Sequence, residues 1–229
     1  MKKHIPNIIT SANLFSGCIG IIYALNHPTW FLASFFIALA AIFDFFDGMV
    51  ARLLKVSSNI GKDLDSLADV VSFGVLPSVI IYKFLSQTSH NPYLPFCAFL
   101  LTVFSALRLA KFNNDERQTQ HFIGVPTPAN ALVIATFPLL YHFNSNTLTH
   151  LMNHTSFWLT FILCMSYLLI AEIPLMSLKI KSLQYAENRF IFFLLLGTLL
   201  LVFMFKFASA LPILLLYLTL SKIKFSKTI

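Results

Sequence analysis

Apolar runs close to the ~20 residues that a helix needs to cross a bilayer recur along the whole length of this chain. The fold class that follows is all-α, a polytopic membrane helix bundle. Candidate helices cover 5–25, 29–54, 63–86, 93–112, 127–143, 156–178, 190–205 and 207–222, about eight spans. Breaks fall at His27-Pro28, at Ser57-Ser58-Asn59, around Asn91-Pro92 and at Asn144-Ser145-Asn146. Only Lys206 and its neighbours divide the last two spans, so one long tilted helix there stays open. Composition agrees with the class. With 57% hydrophobic residues, 25 Phe and only 11% charged residues, a soluble chain of 229 residues could not cover its apolar side chains.

The basic residues supply an orientation. Lys2/Lys3, Arg52/Lys55/Lys62, Arg108/Lys111/Arg117, Lys179/Lys181/Arg189 and Lys222/Lys224/Lys227 occupy both termini and every second inter-helix segment. The intervening segments hold only Lys83 and Lys206. The positive-inside rule then expects both termini in the cytoplasm. These groups are too scattered to form a nucleic-acid surface, so the net charge of +7 reads as topology. The basic start at Met1-Lys2-Lys3-His4 superficially resembles a signal peptide. The apolar stretch nevertheless runs on to Leu25 without a small-residue cleavage site and carries Asn7, Thr10 and Asn13, so a retained first helix is expected. Cys18, Cys97 and Cys164 each lie inside an apolar run with no CxxC pair, and are expected to be buried thiols outside any disulfide framework.

Acidic residues are where they should be scarcest. Of nine in the chain, five fall between positions 44 and 69. An Asp at the centre of a membrane helix costs about 2.5–3.5 kcal/mol on insertion scales, so a group of them must face a polar cavity and a neutralising partner. Asp44 and Asp47 stand at i,i+3 near the end of the second helix. Asp65 and Asp69 stand at i,i+4 in the first turns of the third, with Asp63 at its edge. Each pair shares a helix face, and the short connection makes the helices antiparallel neighbours. Four converging carboxylates repel one another unless cations sit between them. Hard oxygen ligands select Mg²⁺ or Mn²⁺ over Zn²⁺, and two ions of that kind can orient phosphates. Gly48 and Ala51 lie on or near the same face as Asp44 and Asp47. Helix packing is the reading that Gly48 favours when taken alone. Arg52 could contact a diphosphate bidentately, or simply snorkel as a positive-inside residue.

The run Asp44-x-x-Asp47-Gly48-x-x-Ala51-Arg52, eight residues, then Gly61-x-x-x-Asp65-x-x-x-Asp69 resembles the complete signature of the CDP-alcohol phosphatidyltransferases. The resemblance implies that Asp44, Asp47, Asp65 and Asp69 bind the metals and that Asp69 also serves as catalytic base. It implies that Gly48, Ala51, Arg52 and Gly61 line a CDP site, bordered by Asn7 and Thr10 in the polar start of helix 1 beside Pro6. It further implies a six-helix core over residues 1–180, with two additional helices in 181–229.

The segments Ala106–Asn113 and Phe122–Ala129, together with Asp65–Gly74, look like the bacterial and archaeal membrane-type phosphatidylserine synthases over positions 2 to about 130. Arg108, Lys111 and Asn113 are then candidates to hold the lipid phosphate or the acceptor carboxylate. Without the resemblance they are ordinary basic residues at a helix end, with prolines opening the next helix. The implied reaction joins the phosphatidyl group of CDP-diacylglycerol to L-serine by direct attack, since no Ser, Cys or His stands out as a covalent nucleophile. The implied location is the inner (cytoplasmic) membrane, with the site facing the cytoplasm and a homodimer left open. Glycerol 3-phosphate or inositol as acceptor, in a sister enzyme, is the nearest alternative. A divalent-cation transporter is a rival of another class, but it needs polar groups through the membrane depth. His150 and His154 have metal-like spacing, yet with His142 they read as an exposed external loop, and Asn153-His154-Thr155 as an incidental sequon.

Overall fold

The computed structural model describes residues 4–26, 29–56, 58–115, 122–143, 147–176 and 185–226. Lys2, Lys3, Glu116, Arg117, Lys179, Lys181 and Lys227 lie outside these residues, as do the expected breaks at His27-Pro28 and 144–146. Five described stretches are long and apolar enough to cross a membrane: His4–Leu25 (α1), Leu32–Leu54 (α2), Asn59–Thr88, Leu94–Asn114 and Asn188–Phe225. Asn59–Thr88 comprises α3 (Asn59–Asp69), a π-helical turn over Val70–Val75 and α4 (Leu76–Thr88). Leu94–Asn114 opens as a 3₁₀ turn and continues as α5 (Leu100–Asn114). α6 (Thr127–His142) and α8 (Thr155–Ile170) are shorter, and α7 (Thr147–Met152) links them.

The Asn188–Phe225 stretch is two helices rather than one. α9 (Tyr185–Phe205) ends where Lys206 takes a left-handed φ of 49°, and a 3₁₀ turn leads into α10 (Ala210–Ser226). A Cβ on Gly197 would come within 2.5 Å of Leu216 Cδ2. That contact, between residues about equally far from the turn, makes α9 and α10 an antiparallel hairpin. Among the described residues four long stretches thus precede α6, and the fifth is this α9–α10 hairpin.

Hydrogen bonds and ring contacts sort the helix ends into two layers. Lys83 Nζ donates to Leu25 O and Thr155 Oγ1 to Thr88 O. Phe31 stacks on His142, and Phe143 on Phe207. Around these joints Trp30, Phe84, Phe137 and Trp158 interlock, with the Phe84 and Trp158 centroids 4.4 Å apart. At the opposite end Lys62 Nζ donates to Asn113 O. Phe122–Ile123 (β1) pairs antiparallel with Pro174–Leu175 (β2), and Tyr217 Oη donates to Met176 O. The first and last described residues share this second end, which also carries the aspartates.

Packing follows membrane rather than aqueous logic. The buried face of α1 is Pro6, Thr10, Asn13, Ser16, Gly17, Gly20 and Ala24, without one large apolar side chain. Lipid tails are as apolar as leucine, so association depends on close backbone approach and interhelical hydrogen bonds. A Cβ at Gly17 would overlap the Ser72 hydroxyl, which lets α1 lie directly on the π turn. Gly124 has φ 75°, and a Cβ there would meet Leu169 O at 2.7 Å, so only glycine fits where the β1 segment crosses the end of α8.

Several sequence expectations change. The third span begins at Asn59 instead of 63, because Ser58 caps it: its Oγ accepts the Gly61 N–H at 3.0 Å. The sixth ends at Ile170 instead of 178, since residues 171–176 are drawn out to form β2 against β1. Cys18 and Cys164 are exposed on the bundle's outer surface and Cys97 is half-buried, so these thiols face outward instead of filling the core. The segment holding His150 is helix α7 instead of a loop.

Candidate active site

The site is assembled by the tight joint between α2 and α3. Lys55 closes α2 in the left-handed region (φ 52°), its N–H bonded back to Ala51 and Arg52, and Ser58 opens α3. The chain therefore turns back within a few residues. The carboxylates of Asp44, Asp47 and Asp65 come together, with one oxygen from each lying within 4.8 Å of the others. Asp69 lies one turn further along α3, only 7% exposed, within electrostatic reach of Asp44 and Asp65 but outside that closest trio. Asp63 points out of the cluster and is exposed.

α1 supplies the hydrogen bonds that hold these carboxylates. The Thr10 hydroxyl donates to Asp47 Oδ2 at 2.7 Å, and Asn13 Nδ2 to Asp69 Oδ1 at 3.3 Å. Ser72, in the π turn, donates to Asn13 O at 3.0 Å. The π turn begins at the residue after Asp69, so it re-aims the helix where that carboxylate leaves it. The Gly74 carbonyl in the turn accepts from Ser78 Oγ and Thr102 Oγ1. Among the described residues no basic group sits within the trio, and Asp65 Oδ1 is buried without a hydrogen-bond partner. Three all-oxygen donors with an unsatisfied acceptor among them fit a hard divalent cation.

Beside the carboxylates runs a groove of about 240 Å³ between α1, α2 and the start of α3. Asn7, Thr10, Gly48, Ala51 and Gly61 all line it, together with Asp47 and Asp65. Arg52 does not; its Nε donates to Gly48 O, folding the side chain along its own helix. A Cβ at Gly48 would meet nothing within 4 Å. The helix-packing reading of Gly48 therefore fails: the missing side chain opens the groove and seats no neighbour.

Of the three residues flagged after the fourth span, Arg108 is buried, within electrostatic reach of Asp69 and 3.5 Å from Thr127 Oγ1. Lys111 is exposed. Asn113 fastens α5 to α3, donating to Ser66 Oγ at 2.7 Å while its carbonyl accepts from Lys62. None of the three lines the groove.

The family model for CDP-alcohol phosphatidyltransferases matches residues 3–167, about seven-tenths of the chain. This chain belongs to that family. Among relatives of this phosphatidyltransferase is a CDP-diacylglycerol–serine O-phosphatidyltransferase of Helicobacter pylori, 34% identical over 203 residues, covering 86% of this chain and 81% of the relative. Proteins of the same name from Bacillus subtilis (39% over 159 residues, 66% of this chain and 86% of the relative) and Saccharomyces cerevisiae (36% over 149 residues, 57% and 52%) are also similar.

Sequence reasoning missed Asn13, Ser58, Lys62 and Ser72, which the structure places at the carboxylates or in the groove lining. Asn13 follows Thr10 by three residues, and that helical spacing was the available signal. Ser58 and Lys62 passed as a loop residue and a topology charge, and both line the groove. Ser72 carried no signal, because its role depends on the π turn.

Proposed function

We propose that this enzyme transfers the phosphatidyl group of CDP-diacylglycerol to L-serine, releasing CMP. The observation that carries the reading is the carboxylate trio of Asp44, Asp47 and Asp65 beside a groove lined by Gly48, Ala51 and Gly61 of the signature. Asp44, Asp47 and Asp65, with Asp69 beside them, would hold Mg²⁺ or Mn²⁺, in a pair if the family signature is followed. Bound there, such ions supply positive charge that offsets the diphosphate of the substrate.

The chain's own groups do the rest. Asn7, Thr10, Gly48, Ala51 and Gly61 receive the cytidine end, and Lys62 in the groove lining is a cation for its phosphates, which Arg52 joins only by releasing Gly48 O. The serine hydroxyl oxygen attacks the phosphorus that carries diacylglycerol, and the bond from that phosphorus to the CMP oxygen breaks. The hydroxyl proton passes to Asp69, which burial and the Asn13 hydrogen bond keep in place beside the reacting centre. Arg108 faces the negative end of the acceptor. The positive-inside distribution of Lys and Arg supports a cytoplasmic site in the inner membrane. The acidic side chains described all lie toward one end of the bundle, against the transporter alternative.

The test is acceptor competition with CDP-diacylglycerol and Mg²⁺ or Mn²⁺. L-Serine should be incorporated far better than glycerol 3-phosphate or inositol. Incorporation of glycerol 3-phosphate with none from serine would overturn the acceptor and leave the CDP chemistry standing.

A further inference from the structure

Three buried residues near Asp69 or along the α5–α6 contact carry polar atoms without a hydrogen-bond partner: Asn13 on α1, Arg108 on α5 and Asn130 on α6. Arg108 is 6% exposed; its Nη1 reaches Thr127 Oγ1, but its Nε has no partner. One turn along α6 from Thr127, Asn130 is fully buried, and neither its Nδ2 nor its Oδ1 has a partner. Asn13, also fully buried, spends its Nδ2 on Asp69 and leaves Oδ1 unpaired. Buried polar atoms are ordinarily hydrogen-bonded, and an amide with both ends unsatisfied in a low-dielectric interior is costly unless something binds there.

We propose that these residues form the acceptor pocket and that Asn130 is its specificity-determining residue. This rests on the transfer reaction proposed above. The unpaired donors are Arg108 Nε and Asn130 Nδ2, which suit a carboxylate. The unpaired acceptors are Asn130 Oδ1 and Asn13 Oδ1, which suit an ammonium. Donors and acceptors together match a zwitterionic amino acid whose hydroxyl turns toward Asp69. A phosphate-bearing acceptor would satisfy the donors but bring no ammonium to the two amide oxygens. An amine without a carboxylate would leave Arg108 unmatched.

The experiment uses the full-length enzyme in lipid nanodiscs with Mg²⁺. It measures separate KM values for L-serine and CDP-diacylglycerol, and relative use of serine, ethanolamine and 3-hydroxypropionate. Asn130→Ala should raise the serine KM about tenfold or more, the loss of a hydrogen bond to a charged group, without a matching rise for CDP-diacylglycerol. Asn130→Asp keeps the shape but adds a negative charge, so it should shift preference from serine toward ethanolamine. The pocket is refuted if the serine KM stays within about twofold of wild type in both variants, the mark of a site holding only ordered water. Parallel rises in both KM values, with no change in acceptor preference, would also refute it, as general damage to the bundle. If wild type itself uses no serine, the proposed reaction fails. If wild type uses serine and Asn130 variants are indifferent, only the pocket fails.

Discussion

The Thr10 hydroxyl sits 2.7 Å from Asp47 Oδ2, joining the first helix to the second at the carboxylate that reaches both the trio and the groove. Thr10 Oγ1 also lies 3.0 Å from Pro6 O, so the hydroxyl has an alternative acceptor within its own helix. Thr10→Val keeps the shape and removes the donor. It should lower kcat/KM for CMP release by roughly 10- to 100-fold, as expected for losing a hydrogen bond to a charged group. Thr10→Ser should recover most of that. Equal activity in Thr10→Val and wild type would show that the bond does not matter to turnover.

Gly48 offers a way to separate packing from ligand approach. Because a Cβ there meets nothing within 4 Å, Gly48→Ala should insert and fold normally, with a modest gain in helix propensity of up to about 1 kcal/mol. Gly48→Leu should also fold but project into the groove and raise the KM for CDP-diacylglycerol at least about tenfold. A destabilised Gly48→Leu protein, judged by thermal unfolding in detergent, would instead point to a helix contact.

Removing charge without changing shape tests the carboxylates. Asp47→Asn and Asp65→Asn should each abolish turnover while leaving membrane insertion intact. EDTA should abolish wild-type activity reversibly, with Mg²⁺ or Mn²⁺ restoring it. Asp69→Asn should depress turnover more than CDP-diacylglycerol binding if Asp69 takes the proton. Full activity in EDTA after extensive washing would remove the metal reading.

Orientation can be read by thiol labelling. In a background with Cys18, Cys97 and Cys164 replaced, single cysteines in 55–62 should resist an impermeant reagent in intact cells. Single cysteines in 144–154 should react. The reverse pattern would place the aspartates outside and contradict a site supplied from the cytoplasm. Replacing Cys18 and Cys164 is structurally mild, since both lie on the outer surface.

What the sequence determined by itself was the material of the fold and the chemical nature of the site. Apolar run lengths predicted a polytopic helical bundle, and five described stretches are long and apolar enough to cross a membrane, because hydrocarbon thickness and backbone satisfaction leave a chain little choice. The i,i+3 and i,i+4 spacing of Asp44, Asp47, Asp65 and Asp69 placed each pair on one face, because helical geometry is local. Tertiary structure decided everything that depends on a neighbour. That Gly48 faces open space while Gly17 carries a helix contact is invisible in either residue, since both are glycines on apolar helices. Asp69 stands apart from the closest trio, although its spacing from Asp65 gave no hint of it. The π turn after Asp69 has no local sequence signature, and its Gly74 carbonyl accepts from Thr102, 28 residues further along the chain. Thr10, Asn13 and Arg108 likewise acquire their relation to the aspartates only when α1 and α5 pack beside α3. Hydrogen bonds between helices are set by packing, and packing is where one residue's environment stops being a property of its own segment.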